Sequence, residues 1–361
     1  MLLTIVSFIV LMSILVFVHE FGHFIVAKRN HIVVEEFAFG FPPRLIKVAE
    51  RGGTVYAINA IPFGGYVRLR GEDDPSLPGS FAAAPKLARV ATLLAGPVMN
   101  LLLAVVLFAV LVQVSGVPDY SKVSNGAEIG AVSPDSPAAQ AGLQVGDRII
   151  AANGSPVKNF NDLVTATRAN LGQPVTYRIE RGSQQLDVTL TPRVNPPPGE
   201  GAVGIASAAP PMRPARPWES LVAGLQNVWA LIVLTFQVPA ALIRQGRPIG
   251  DAGFMGPVGI AAVTGQVVRS SLAIESILPV VQFVAALSTA LGLTNILPVP
   301  GLDGGRLLFV LIEAVRRKRV EPAQEGLVHL AGLGLLLVLV AMLTVHEVTA
   351  LVNGTFPSIT H

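Results

Sequence analysis

The chain has 361 residues, of which 51% are hydrophobic and only 14% are charged, and its mean hydropathy is +0.59. This composition excludes an ordinary soluble domain, and a formal net charge of only +3 argues against a nucleic-acid partner. The chain has no cysteine, so disulfides and thiolate metal sites are excluded, and any metal must be held by histidine or a carboxylate.

The first apolar segment carries the pattern of a metal site. Between Leu2 and Ala27 the only charged residue is Glu20, which lies within His19-Glu20-Phe-Gly-His23. Residues i and i+4 share a helix face, so both histidines can reach one metal ion, with Glu20 beside it to accept a proton. A carboxylate in hydrocarbon is costly, so this pattern indicates a zinc metallopeptidase site more than a chance occurrence. The segment lacks the basic start and small-residue cleavage site of a signal peptide, so we expect a mature helix.

Four apolar segments are long enough to cross roughly 30 Å of hydrocarbon. We place these spans at residues 2–27, 90–114, 277–297 and 327–345. Nine lysines and arginines lie between the first two spans and five between the last two, and none precede the first span or follow the fourth. Because positive residues favour the cytoplasm, we expect both termini outside and the histidine motif near the cytoplasmic end of the first helix.

Residues 37–70 read as short strands with glycine turns. Ile46 and Val48 alternate with other residues, Gly52-Gly53 supplies a turn, and Gly64-Gly65 precedes a last strand. We expect a membrane-associated β-hairpin on the cytoplasmic side. Its exposed edge could receive an unwound substrate segment and satisfy that segment's backbone hydrogen bonds. A plain cytoplasmic hairpin is the alternative.

The composition becomes that of a soluble domain from about residue 127 to residue 192. The predicted elements are strands near 129–132, 147–150, 175–180 and 186–190, with helices near 137–142 and 162–169. This order resembles a PDZ domain in a single copy, which we place at 124–193 and expect to be extracytoplasmic. PDZ domains bind extended peptides, often a free C-terminus, by strand addition. Whether this one binds a peptide or only filters substrates by size stays open.

A linker region at 194–274 follows, starting with a proline-rich stretch. Within it, residues 218–244 are apolar enough to be mistaken for a fifth span. A polar stripe and both tryptophans of the chain favour an interfacial amphipathic helix instead. A fifth span would also put Asp303, the candidate for a third metal ligand, on the side of the membrane opposite to the histidines.

A catalytic zinc site usually has three protein ligands, and the best third candidate is Asp303. It lies in the sequence from Asn295 to Gly305, where prolines and glycines break the helix at the cytoplasmic end of the third span. Irregular backbone at that depth is tolerated only where protein or a water-filled cavity covers it. Asp303 is therefore expected on the same side as the histidines. Its alternative role is the N-cap of the next helix.

Together these motifs resemble the site-2 protease family of intramembrane zinc metallopeptidases. The first motif matches at His19 to His23, and Asn295 to Gly304 matches Asn-x-x-Pro-x-Pro-x-Leu-Asp-Gly at each fixed position. Further similarity lies in Gly96-Pro-Val-Met-Asn100 and in Met255-Gly-Pro-Val-Gly-Ile260. The resemblance implies Glu20 as the general base and one Zn²⁺ held by His19, His23 and Asp303. It also implies substrate-backbone contacts from Asn100, Asn295, Gly64 and Gly65. For the two asparagines, simple packing between helices is an equal alternative.

The implied fold is a polytopic α-helical membrane protein with four transmembrane helices, the β-hairpin and an inserted α+β PDZ domain. The first transmembrane pair with the hairpin occupies 1–115, and the second pair with Asp303 occupies 275–361. The implied activity is endoproteolysis within a bacterial cytoplasmic membrane. The implied substrate is a single-span protein already shortened by another protease, such as an anti-sigma factor or a remnant signal peptide.

Two other functions are the alternatives. A catalytically silent PDZ-bearing scaffold has no reason to keep an acid such as Glu20 between two histidines. A membrane-anchored peptidase acting on soluble peptides would carry its motif outside the apolar segment.

Overall fold

A computed structural model describes residues 1–119, 125–197, 199–246, 255–318 and 320–356. The chain forms two compact units. We call Met1–Val114 with Ala215–His361 the membrane unit and Ser115–Pro214 the PDZ-like unit.

The membrane unit is built from long apolar helices. Numbered along the whole chain, they are α1 (Leu2–Arg29), α2 (Lys86–Ser115), α5 (Pro217–Arg244), α6 (Pro257–Ala273), α7 (Leu278–Ile296), α8 (Asp303–Arg316) and α9 (Pro322–Val352). Among the described residues, five helices are long and apolar enough to cross a membrane: α1, α2, α5, α7 and most of α9. Each of the four predicted spans is therefore a helix, and α5 joins them by length and composition.

Helix α5 differs from the interfacial helix expected from its sequence. Val228 is buried in a cluster with Ala104, Phe108 and Ala285 of α2 and α7. A Cβ added at Gly224 would lie 2.5 Å from the Val105 carbonyl oxygen, so the two backbones pass very closely. The helix thus packs lengthwise against two membrane-length helices. The polar stripe read from the sequence did not reveal this apolar packing face.

Helices α5 and α6 run in opposite directions. At the start of α5, the Ser220 hydroxyl donates to Gln113 Oε1 near the end of α2 (2.9 Å). Near the end of α6, Arg269 Nη1 donates to the Thr4 hydroxyl at the start of α1 (3.2 Å). The end of α2 and the start of α1 lie on the same side, because these two helices are antiparallel. Helix α5 therefore starts on that side and α6 ends on it, so Asp303 lies on the side of the histidines although α5 packs among the spans.

The predicted hairpin is a more extensive sheet of two long, bent strands, β1 (Val34–Arg51) and β2 (Thr54–Leu69). Residues 34–39 pair with 65–69, residues 44–51 pair with 54–59, and residues 36–39 also lie beside 55–58. Residues 44–51 and 65–69 are therefore the two edges. The sheet packs on α1 through aromatic rings, Phe17, Phe21 and Phe24 on the helix against Phe37 and Tyr56 on the strands.

The PDZ-like unit contains the elements predicted for it. They are β3 (Val117–Pro118), β4 (Ala127–Val132), α3 (Pro137–Gln140), β5 (Arg148–Ala152), β6 (Ser155–Pro156), α4 (Phe160–Arg168), β7 (Val175–Arg181), β8 (Gln184–Leu190), β9 (Ile205–Ser207) and β10 (Met212–Arg213). The main sheet has the order β8-β7-β5-β4-β9, with β6 paired to β5.

The PDZ-like unit is wider than the predicted 124–193. Strand β9 pairs with β4, and β10 pairs with β3, so residues assigned to the linker belong to this fold. Its core contains Ile129, Ile149, Leu163 and Tyr177, each at most 1% exposed. The buried Asp147 carboxylate is held by Arg181 Nη2 at 2.7 Å, which ties β7 to the turn before β5.

Candidate active site

Helix α1 presents His19, Glu20 and His23 on one turn. Both histidines are buried, each 8% exposed, and their Nε2 atoms lie 3.1 Å apart. Helix α2 crosses closely at this level because both helices have glycine there. A Cβ at Gly22 would lie 2.4 Å from the Ala95 carbonyl oxygen, so only glycine permits this approach without a shift.

Asp303 reaches the histidines from the break after α7. Its Oδ2 lies 2.9 Å from His19 Nε2 and 3.3 Å from His23 Nε2. Asp303 is the first residue of α8, and Leu302 occupies the N-cap position. Leu302 makes no side-chain cap hydrogen bond, and Asp303 does not occupy the N-cap position considered for it. Gly304 and Gly305 let the first turn of α8 fold back on the break, since added Cβ atoms would meet its carbonyl oxygens at 2.2 and 2.4 Å.

The three side chains fit a zinc ion. Their ligand atoms all lie within 4.8 Å of one another, and two imidazoles with one carboxylate form a common catalytic donor set. Gly96 leaves the space in front of these atoms open. A Cβ there would lie 2.3 Å from His23 Nε2 and 2.7 Å from His19 Nε2, about where a bound ion would lie.

Helix α2 also contacts the far side of both imidazoles. His23 Nδ1 lies 2.7 Å from the Thr92 carbonyl oxygen, and His19 Nδ1 lies 3.3 Å from Nδ2 of Asn100. The contact of Thr92 was not predicted, because a backbone carbonyl leaves no signature in residue type. Asn100 was singled out by its motif, and the structure brings it to a predicted zinc ligand.

Glu20 accepts a hydrogen bond from the backbone N–H of Val67 (3.0 Å). Val67 belongs to the 65–69 edge, so this edge of the sheet adjoins the proposed base. At the start of the edge, the Gly64 N–H donates to the Ser13 hydroxyl (3.2 Å), and that hydroxyl donates to the Pro62 carbonyl (3.1 Å). Gly64 and Gly65 thus lie along α1 beside Val16 and Phe17, in the turn that precedes His19.

Asn295 is not brought to the three ligands by a hydrogen bond. Its amide Nδ2 donates to the Leu291 carbonyl oxygen within the same helix (2.9 Å), and its side chain is partly buried. Two ion pairs that sequence reasoning missed hold α8 in place: Arg89 with Glu313 (2.7 Å) and Arg306 with Glu72. Partners more than 200 residues apart cannot be paired by sequence spacing.

The His19-Glu-Phe-Gly-His23 motif on one helix, with the Asp303 carboxylate beside it among membrane-length apolar helices, is the arrangement expected of an intramembrane metalloprotease. The chain belongs to peptidase family M50, because the sequence profile of that family matches residues 7–347.

The relatives carry matching names. The chain is 33% identical to the putative zinc metalloprotease R01501 of Rhizobium meliloti, over 93% of this chain and 94% of the relative. It is 31% identical to the zinc metalloprotease RasP of Geobacillus kaustophilus (96% and 97% covered). It is 28% identical to the probable protease eep of Enterococcus faecalis (96% and 98% covered). The chain is thus a zinc metalloprotease of the site-2 type and a bacterial multi-pass membrane protein.

A solved PDZ domain, that of the SdrC-like protein of Listeria monocytogenes, aligns with 24% of the chain at 21% identity and a TM-score of 0.22. Similarity at this level supports no conclusion about function.

Proposed function

We propose that this protein is an intramembrane endopeptidase with one zinc ion, which cuts an unwound transmembrane segment of a single-span substrate. The observation that carries the proposal is the meeting of His19, His23 and Asp303, with Glu20 on the same turn as the histidines. His19 and Asp303 are 284 residues apart; His19 lies within apolar helix α1, and Asp303 lies just beyond the end of apolar helix α7. This convergence inside a membrane unit has no structural purpose that an apolar contact would not serve better.

The residues divide the chemistry as follows. His19, His23 and Asp303 would hold the zinc ion, which would supply a water of lowered pKa and polarise the scissile carbonyl. Glu20 accepts a proton from the attacking water and delivers it to the departing amide nitrogen. One peptide bond and one water thereby yield a carboxyl group and an amine. The Val67 N–H holds the Glu20 carboxylate in position between these two transfers.

The substrate is expected to bind along the 65–69 edge of the sheet. A peptide bond within a helix is sterically hidden, so the segment must unwind and then needs partners for its backbone groups. An edge strand offers such partners by strand addition, and this one leads directly to Glu20. Gly64, Gly65 and Asn295 remain our candidates for contacts with the substrate backbone.

For topology, we propose that α1, α2, α7 and α9 span the membrane, with both termini and the PDZ-like unit extracytoplasmic. Helices α5 and α6 then form an antiparallel pair that enters from the outside and returns to it. The charge distribution supports this arrangement, because the two loops that carry most of the lysines and arginines close to the spans would face the cytoplasm. The zinc site would lie near the cytoplasmic side.

For substrate class, we propose regulated intramembrane proteolysis of a protein shortened beforehand, of the anti-sigma factor or remnant signal peptide type. The PDZ-like unit supports selection by chain end. It has a cavity of about 330 Å³ between α4 and the segment before β9, lined by apolar side chains such as Phe160, Leu163 and Val203 and by the charged Arg168, Arg193 and Glu200. A newly exposed apolar C-terminus is the kind of ligand such a groove accepts.

The test is the Glu20→Gln variant, which keeps the shape of the side chain and removes proton acceptance. We expect cleavage of a short-tailed single-span substrate to vanish while the zinc content stays at the wild-type level. Substrates are first identified as membrane proteins whose cleavage fragments are present in wild-type cells and absent from cells that carry Glu20→Gln. The matched control is Glu50→Gln on strand β1, where the exposed ion pair with Lys47 contributes little. Cleavage by Glu20→Gln at the wild-type rate would refute the proposed mechanism.

A further inference from the structure

The Asn100 side chain turns a donor atom, Nδ2, toward the His19 imidazole, where a metal-binding histidine needs an acceptor. A histidine that binds metal through Nε2 carries its proton on Nδ1 and donates it to an acceptor behind the ring. His23 has that acceptor in the Thr92 carbonyl oxygen at 2.7 Å. Behind His19, the nearest partner is Nδ2 of Asn100 at 3.3 Å, and an amide nitrogen is itself a donor.

The amide oxygen of Asn100 is the complementary anomaly. Asn100 Oδ1 is buried and has no hydrogen-bond partner among the described residues. The oxygen and nitrogen of an asparagine amide exchange places by a half-turn about the last side-chain bond, and their assignment depends on the surrounding network. With that half-turn, Oδ1 faces His19 Nδ1. The donor–donor contact and the unpartnered acceptor are then resolved together.

Asn100 is enclosed between helices α2 and α7, where a substrate cannot contact its side chain. The residue is 1% exposed. The Ser288 hydroxyl of α7 donates to its backbone oxygen (2.7 Å), and Gly292 of α7 packs on the Pro97 carbonyl oxygen one turn earlier. A substrate backbone cannot reach a side chain enclosed in this way while α2 and α7 stay packed. The contact available to Asn100 is His19.

We propose that Asn100 is a positioning residue for His19: its Oδ1 accepts the His19 Nδ1 proton, which fixes the tautomer and ring orientation for metal binding. This rests on the zinc site of the proposed function and replaces the substrate-binding role expected from the sequence. One helix, α2, thereby supports both histidines, using a backbone carbonyl for His23 and an amide side chain for His19.

The test compares substitutions that keep or remove the acceptor. Asn100→Leu retains approximate size without an acceptor, and Asn100→Asp keeps an acceptor in the same place. We expect Asn100→Leu to raise the Kd for zinc by about 10–100-fold, measured on the detergent-purified full chain by competition with a chromophoric chelator. Asn100→Asp should stay within a few-fold of the wild type. Asn295→Leu is the matched control, because its amide bonds its own helix, and it should leave the Kd for zinc unchanged.

The outcomes separate this inference from the proposed function. If Asn100→Leu binds zinc like the wild type and only its KM rises, Asn100 contacts substrate and the inference is overturned. If the wild-type chain binds no zinc, the proposed function falls and this inference with it. Should Asn100→Leu fail to fold, Asn100→Ala set against Asn100→Asp carries the same comparison, with weakened zinc binding expected only for Ala.

Discussion

Adding a single methyl group at Gly96 tests the metal centre directly. The Cβ of Gly96→Ala would lie 2.3 Å from His23 Nε2 and 2.7 Å from His19 Nε2. Nonbonded heavy atoms settle at about 3.5 Å, so the imidazoles or helix α2 must move by roughly 1 Å. Zinc–nitrogen bonds are about 2.0–2.1 Å long, with a tolerance of about 0.2 Å. The required shift is about five times that tolerance.

We therefore expect Gly96→Ala to weaken zinc binding by more than about a hundredfold and to abolish proteolysis. This exceeds the loss that is typical when a hydrogen-bond partner of a metal ligand is mutated. The assay is chelator competition on purified protein, with thermal unfolding of the metal-free chain as a check on folding. Gly334→Ala is the matched control, because a Cβ there meets nothing within 4 Å and helix propensity gains about 1 kcal/mol. Wild-type zinc affinity in Gly96→Ala would refute the placement of the metal between these rings.

Three further predictions concern the PDZ-like unit and the topology. Burial alone would raise the pKa of Asp147, but hydrogen bonds from Arg181 and the Gln144 N–H hold it below its usual value. The resulting stabilisation is complete above the unfolded pKa of about 3.9 and is lost as pH falls through the lower folded pKa. Asp147→Asn should therefore lower the thermal stability of this unit at pH 7, with the gap closing below about pH 4; a gap independent of pH would contradict the ion-pair explanation. In this cysteine-free chain, Gly52→Cys should be labelled only from the cytoplasm and Asn159→Cys only from outside; labelling of both from one side would refute the topology. Replacing residues 115–214 by a short linker should preserve cleavage of short-tailed substrates and admit some longer ones; loss of all cleavage with normal zinc binding would make this unit part of the catalytic assembly.

The local parts of the site were predictable from sequence. His19, Glu20 and His23 lie within one helical turn, so their spacing alone places them on α1. The position of Asp303 beside the histidines was predictable because two independent signals agreed, the helix break and the charge distribution of the loops. The elements of the PDZ-like unit followed from its apolar pattern and turn residues; the structure adds side-chain N-caps at Ser136 and Asn159, which accept from the first turns of α3 and α4.

Other parts depend on contacts that residue types do not encode. The interfacial expectation for α5 used its polar stripe, whereas Gly224 and Val228 pack it along α2 and α7. The linker prediction missed β9, which is only three residues long and pairs with a strand far earlier in the chain. Thr92 acts through its backbone carbonyl. Asn100 was recognised as a site residue by its motif, and its proposed role rests on burial and an unpartnered oxygen.

The most direct test of the zinc site is a metal count combined with X-ray absorption at the zinc edge on the purified full chain. We predict one zinc per chain with two imidazole nitrogens, a carboxylate oxygen and further light-atom ligands. Asp303→Ala and His23→Ala should each lose most of the metal. An active, zinc-free wild-type protein, or full zinc occupancy in both variants, would contradict the assignment of His19, His23 and Asp303 as the catalytic metal site.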